Sequence, residues 1–122
     1  MSEQRVSIVL KGAKGEVKVS ALLDSGASLS VVDKAIADRI GMEDFGLSDG
    51  EDIHGHNVQG IYSVASVKIA GGRIATDFII LPNVPDRVIL GVDFIQRADL
   101  KIDWGTEKVT IPKIYKRKRF RI

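Results

Sequence analysis

Apolar residues in this chain recur mostly at every second position, and the pattern predicts a protein of short strands. Val6, Ile8 and Leu10 share one face over Arg5–Lys11; Val17, Val19, Ala21 and Leu23 share one over Glu16–Leu23. Gly12-Ala13-Lys14-Gly15 supplies the hairpin turn between them. Leu29–Val32 reads as a short strand because Val31-Val32 is β-branched. Ala65, Val67 and Ile69 alternate over Ile61–Ile69. Ala70-Gly71-Gly72-Arg73 is a second hairpin turn, and Ile74–Leu81 is the return strand, with Thr76, Phe78 and Ile80 on one side. The continuous apolar run Val88-Ile89-Leu90 predicts a strand buried on both faces. Leu100–Asp103 and Lys108–Ile111 pair across Trp104–Glu107.

Helical spacing is confined to two short stretches. Asp33 is the expected N-cap of a helix over Lys34–Ile40, with Ile36 and Ile40 on one face and Gly41 in the terminating position. A second helix is expected over Asp93–Ala98, with Phe94 and Ala98 on one side. Met42–Gly60 is poor in apolar residues and rich in Gly, Asp and His, and predicts a mobile hairpin or long loop. Many short strands and two short helices argue for an all-β, closed or partly closed barrel.

Composition narrows the picture. The 122 residues suffice for one domain, and 44% are hydrophobic against 6% aromatic, so Val, Ile and Leu must fill the core. Absence of cysteine rules out disulfides and thiolate metal sites and fits a reducing compartment. No apolar run approaches the roughly 20 residues of a membrane helix, and Met1–Arg5 begins no signal-peptide core; a soluble cytoplasmic protein with no membrane partner is expected. The net charge of +2 hides an asymmetry. Residues 113–122, KIYKRKRFRI, hold six Lys or Arg and no acid; residues 1–112 hold 12 basic and 16 acidic side chains, a net of −4. The chain divides into a domain over 1–112 and a basic segment over 113–122. That segment reads either as an arm contacting nucleic acid or an acidic partner, or as a terminal strand in which Ile114, Phe120 and Ile122 share parity.

The chemistry concentrates in Leu22–Ser28, LLDSGAS. An apolar strand delivers Asp24 into a turn, and a carboxylate at the end of a buried strand must be paired, bonded or neutralised. Gly26 permits the tight turn, and Ser25 and Ser28 carry hydroxyls that can bond the loop together. Asp-Ser-Gly alone is weak evidence. Its conjunction with Val88-Ile89-Leu90-Gly91 followed by a helix, in the order strand, Asp-Ser-Gly, strand, helix, glycine-rich hairpin, apolar-Gly, helix, is far more specific.

LLDSGASLSVV and VILGVDFI in that order resemble the retropepsin-like aspartic proteases, the retroviral-protease class, over roughly Val17–Ile111. The resemblance implies a closed acid-protease barrel, one lobe per chain. It makes Asp24 the catalytic aspartate and Ser25 the residue whose hydroxyl braces two loops against each other, with Gly26 in the catalytic turn and Gly91 packing behind it. A flap near Glu51–Ile61 would close over substrate, its tip within Gly55–Asn57, so that Ala27, Gly55, His56 and Asn57 would meet the substrate. Asp33, Asp38 and Asp93 read as helix-cap and surface acids. His54-Gly55-His56 reads as polar flap residues rather than a metal pair, since no third ligand lies near in sequence.

This chemistry uses two carboxyls sharing one proton, one taking a proton from water and the other polarising the scissile carbonyl. A chain with a single Asp-Ser-Gly therefore implies a homodimer with Asp24 of each copy on the two-fold axis, an extended peptide or protein as substrate, and no metal or organic cofactor. A serine at position 27 could donate a hydrogen bond to the carboxylate and alanine cannot, so activity reaching weakly acidic or near-neutral pH is expected. The rival reading is a non-catalytic dimerisation or peptide-binding module of the same fold, contacting nucleic acid through Lys113–Ile122.

Overall fold

The computed structural model describes residues 3–116 and 121–122. Strand makes up half of the chain and helix 13%, which places it in the all-β class. Nine strands alternate with two short helices: β1 (Glu3–Lys11), β2 (Glu16–Asp24), β3 (Val31–Asp33), α1 (Lys34–Ile40), β4 (Leu47–Glu51), β5 (Asn57–Ile69), β6 (Gly72–Leu81), β7 (Val88–Leu90), α2 (Val92–Arg97), β8 (Lys101–Asp103) and β9 (Lys108–Thr110). A single 3₁₀ turn, Lys113–Tyr115, follows.

β1, β2, β7, β3, β6 and β5 pair in that order, and β1 pairs back to β5 through Val9–Lys11 against Ser66–Lys68. The pairing closes a six-stranded barrel, which satisfies main-chain groups that an open sheet would leave at its edges. β4 lies outside the ring, paired only to the first half of β5, from Leu47↔Ile61 to Glu51↔Asn57. β8 and β9 form a separate hairpin.

Alternation explains the core. Ile8, Leu10, Ala21, Leu23, Ala65, Val67, Ile69, Ile74, Phe78 and Ile80 point inward and are buried, each at the position the pattern predicts for its strand. Val17 and Val19, nearer the start of β2, are only half buried. Ile36, Ala37 and Ile40 of α1 and Phe94 of α2 close the barrel. β7 is central, parallel to β2 and antiparallel to β3. Val88 and Leu90 are fully buried but Ile89 is half buried, so the prediction of burial on both faces holds for one face only.

Local signals set the element ends. The Asp33 carboxylate accepts from the Ala35 N–H at 3.0 Å and so caps α1; its other oxygen accepts from the Val84 N–H at 2.8 Å, tying α1 to the loop before β7. Gly41 ends the helix in the left-handed conformation at φ 70°. The β1–β2 turn then meets that helix end: the Lys14 N–H donates to the Ile40 carbonyl at 2.9 Å, satisfying a group the helix leaves open.

Three expectations change. Of the two readings of Met42–Gly60, hairpin or long loop, the hairpin forms, from Leu47 onward, and its second strand begins at Asn57 rather than at Ile61. Leu29 and Ser30 are not in a strand; β3 begins at Val31 because Ser30 is bonded elsewhere. α2 starts one residue early, with Gly91 as its N-cap. The open question of strand or arm at the C-terminus falls largely on residues 117–120, outside the described residues.

Candidate active site

β2 carries Asp24 as its last residue, paired with Glu3 of β1. The chain then turns through Ser25 and Gly26. The Gly26 N–H donates to Asp24 Oδ1 at 2.9 Å, and the Ala27 N–H donates to the Asp24 carbonyl at 3.1 Å. The turn aims the carboxylate back over its own backbone and holds it by one oxygen, leaving the other free of bonds among the described residues. Asp24 and Ala27 are half buried; Ser25, Gly26, Ser28 and Leu29 are exposed, so the loop stands at the surface on a fully buried base. The Ser25 hydroxyl makes no hydrogen bond among the described residues.

The loop is clamped from behind. The Val92 N–H donates to the Ala27 carbonyl at 2.8 Å. A Cβ at Gly91 would sit 2.7 Å from the carbonyl oxygens of both Ala27 and Leu29, so only glycine lets the end of β7 lie against the loop. Position 91 is thus a matter of close approach, not of backbone angle, since its φ is −88°.

Two further residues complete the clamp. Ser30 is fully buried. Its hydroxyl donates to Asp93 Oδ1 at 2.9 Å and accepts from the Gly91 N–H at 3.1 Å, while its own N–H reaches Asp93 Oδ2 at 3.3 Å. Asp93 also accepts from the Phe94 N–H. The expectation that Asp93 is a surface acid is therefore corrected: it is half buried and spans α2 and the exit of the Asp24 loop. In the sequence it looks like any acid in a first helical turn. The available signal is Ser30, a polar residue set directly before an apolar β-branched pair.

The β4–β5 hairpin connects to this loop through β6: the Ile79 N–H donates to the Ser30 carbonyl at 3.0 Å, and Ile79 pairs with Tyr62 of β5. The hairpin tip is Asp52–His56, closed by the Asp52 N–H on the His56 carbonyl at 3.0 Å, with Gly55 left-handed at φ 77°. Asp52 organises the tip. Its Oδ1 accepts from the N–H groups of His54 (2.8 Å) and His56 (3.0 Å), and its Oδ2 lies 3.1 Å from His56 Nδ1. The His56 N–H foremost, then the His54 N–H and the His56 ring, holds the Asp52 carboxyl below its ordinary value. Of the residues expected at the tip, Gly55 and His56 are there; Asn57 instead begins β5, opposite Glu51. Ile53, at the summit, is 95% exposed.

Residues 10–97 match the family described as gag-polyprotein putative aspartyl protease. The chain belongs to that family. The match spans the Asp24 loop, the β4–β5 hairpin, β7 and α2. No curated protein matches this retropepsin-like chain. Solved structures similar to it carry the same fold. The retroviral protease-like domain of Ddi1 from Leishmania major is 24% identical, with TM-score 0.65 over 93% of this chain and 90% of that one. The EIAV protease in complex with an inhibitor is 22% identical, with TM-score 0.62 over 84% and 93%. A retropepsin-like aspartic protease from Rickettsia conorii is 20% identical, with TM-score 0.54 over 84% and 88%. Among the described residues no helix of this retropepsin-like protein is long and apolar enough to cross a membrane.

Proposed function

We propose that this chain is an aspartic endopeptidase that works as a homodimer, Asp24 of each copy facing the other across a two-fold axis. The observation that carries this reading is the Asp24 carboxylate, held on one oxygen by the Gly26 N–H at 2.9 Å at the mouth of a loop braced by Gly91, Ser30 and Asp93. One such carboxylate per chain is half of the machinery that water activation at a peptide bond requires; a second copy supplies the rest.

With two carboxyls a few ångströms apart, one ionises and the other keeps the shared proton. The ionised group takes a proton from a water held between them. The protonated group donates to the scissile carbonyl as the water oxygen attacks; the tetrahedral carbon then expels the amine, which takes the proton the first carboxyl removed from water, while a hydroxyl of the collapsing diol returns a proton to the second carboxyl. Gly26 holds the carboxylate, and Ser25, exposed beside it, braces the partner's loop. Substrate lies as an extended strand across Ala27, under a flap formed by the β4–β5 hairpin, using main-chain hydrogen bonds. Gly55 and His56 at the tip and Asn57 at its base contact it. Ala27 brings no side-chain donor, and its N–H is engaged with the Asp24 carbonyl, which supports activity reaching near-neutral pH. No metal or organic cofactor enters the scheme, since water is the nucleophile.

Digesting a mixed peptide library with wild type and Asp24→Asn from about pH 4 to 8, read by mass spectrometry, tests the proposal. New peptides from wild type alone support it. No cleavage by either, at concentrations where sedimentation shows a dimer, rejects it in favour of a non-catalytic peptide-binding module. Activity confined to strongly acidic pH rejects the role given to Ala27.

A further inference from the structure

The barrel carries a second, chemically distinct surface at the end remote from Asp24. Strand register defines it. Val9 of β1 lies opposite both Lys18 of β2 and Lys68 of β5, and Lys68 lies opposite Arg73 of β6. Residues directly opposite share a face, so one row across four strands reads Lys18, Val9, Lys68, Arg73, and all three cations are exposed. Lys11 stands in the adjoining row, between Glu16 and Ser66. Like charges placed directly opposite, as Lys68 and Arg73 are, destabilise a sheet. Among the described residues none of Lys11, Lys18, Lys68 and Arg73 forms an ion pair. Acids on the same strand faces include Glu16, beside Lys11, Asp77, which accepts from the Tyr62 hydroxyl at 3.0 Å, and, six residues along β2 from Lys18, Asp24.

The row opens into a groove of about 520 Å³ walled by Lys68, Arg73 and Lys116, with Ser66, Gly71 and Tyr115 between them. The groove exists because the 3₁₀ turn packs tightly on the β5–β6 hairpin. A Cβ on Gly72 would collide with Ile111 and come within 2.7 Å of the Tyr115 carbonyl oxygen. The Tyr115 hydroxyl donates to the Arg97 carbonyl at 2.8 Å and fixes the turn to the end of α2. Lys116, at the rim, is followed in sequence by Arg117, Lys118, Arg119 and Arg121. Lys116 thus adds a third cation to the groove, on a domain whose first 112 residues are net acidic.

We propose that this face binds the backbone of a single-stranded nucleic acid, with Lys68, Arg73 and Lys116 meeting phosphates in the groove. A concave, cation-walled channel suits a linear polyanion that enters it; a planar anionic bilayer cannot reach the groove floor. Lys18 is six residues from Asp24 along β2, about 20 Å at the rise of a strand, so the strand leaves the peptide cleft open. The proposal stands whether or not the chain cleaves peptides.

Fluorescence anisotropy of the full chain with a labelled single-stranded RNA of about 20 nucleotides, from about 50 to 300 mM salt, tests it. Wild type should bind, with log affinity falling linearly in log salt. Lys68→Ala/Arg73→Ala should bind more weakly and with a slope smaller by about 1.4, roughly 0.7 for each phosphate no longer neutralised, at a melting temperature no lower than that of wild type, since the substitutions also remove a like-charge pair. No binding by wild type at low salt overturns the proposal. So does an unchanged slope in the double variant with binding abolished only by truncation after Lys116, which would place the interaction in the tail alone. Equal or tighter binding of a polyglutamate peptide, or of phosphatidylserine vesicles, overturns the choice of nucleic acid.

Discussion

Replacing Gly91 by alanine probes how the Asp24 loop is held. The new Cβ would lie 2.7 Å from the Ala27 and Leu29 carbonyl oxygens, where ordinary contact begins at 3.4 Å, a shortfall of 0.7 Å against each. Both obstacles are backbone of one loop, so no rotamer change relieves them; the loop or the β7–α2 junction must shift. Overpacking of this kind costs about 1–3 kcal/mol. With roughly 2.1 cal/mol/K of unfolding entropy per residue, a chain of 122 residues has about 0.26 kcal/mol/K, and Tm should fall by about 4–12 °C. Moving the carboxylate by several tenths of an ångström should also lower kcat roughly tenfold or more, since about 1 Å can cost a hundredfold. Calorimetry of the variant beside Gly15→Ala is the assay. A Cβ at Gly15 has nothing within 4 Å, and that control should stay within about 0.5 kcal/mol of wild type. A Gly91→Ala protein melting with wild type, or a Gly15→Ala protein falling as far, would refute the argument from close approach.

Three other substitutions separate the supports of the site. Ser30→Ala removes the hydroxyl between Asp93 and the Gly91 N–H and orphans a buried donor; a loss of about 1–3 kcal/mol is expected in urea unfolding, with the m-value unchanged. Asp33→Ala should lower Tm at neutral pH. The Val84 N–H foremost, then the Ala35 N–H, holds the Asp33 carboxyl below its ordinary value of 3.8, so its stabilisation is present above that value and lost as pH falls through the lower, folded one. Melting curves of variant and wild type should therefore converge only below about pH 4. Asp52→Ala should loosen the hairpin tip, with the amides of His54 and His56 exchanging about two- to tenfold faster by hydrogen–deuterium exchange while those of β6 are unaffected.

Legibility in the sequence follows the physics that makes each element. β1, β2 and β6 are visible because one face of each is buried and the side-chain period is two, and α1 because its cap, face and terminating glycine agree. The Asp24 loop is visible because a polar turn interrupts an apolar strand. The β4–β5 hairpin is legible only as one of two alternatives, hairpin or long loop, because Leu47–Glu51 and Asn57–Gly60 are largely exposed and carry no alternation; their pairing comes from β5 continuing outward past the barrel. Asp93 escapes a local reading because its role depends on Ser30, 63 positions away, and local pattern cannot report such a meeting. The place of Asn57 is missed by one step because Asp52, not Gly55, starts the turn.

β5 belongs to two pairings in succession. Its outer part pairs with β4 as far as Ile61, extended by the Tyr62 N–H on the Gly46 carbonyl at 2.8 Å, and its inner part pairs with β1 from Ser66 onward. The barrel register is fixed independently by β6, from Ile61↔Ile80 to Ile69↔Gly72. The arm can therefore change length by matched pairs of residues on β4 and β5 without moving a single inward side chain, since a two-residue step preserves which face each one occupies. Such insertions would alter how far the hairpin stands out from the barrel while leaving the folding problem as it was, which makes this hairpin the part of the molecule most free to diversify.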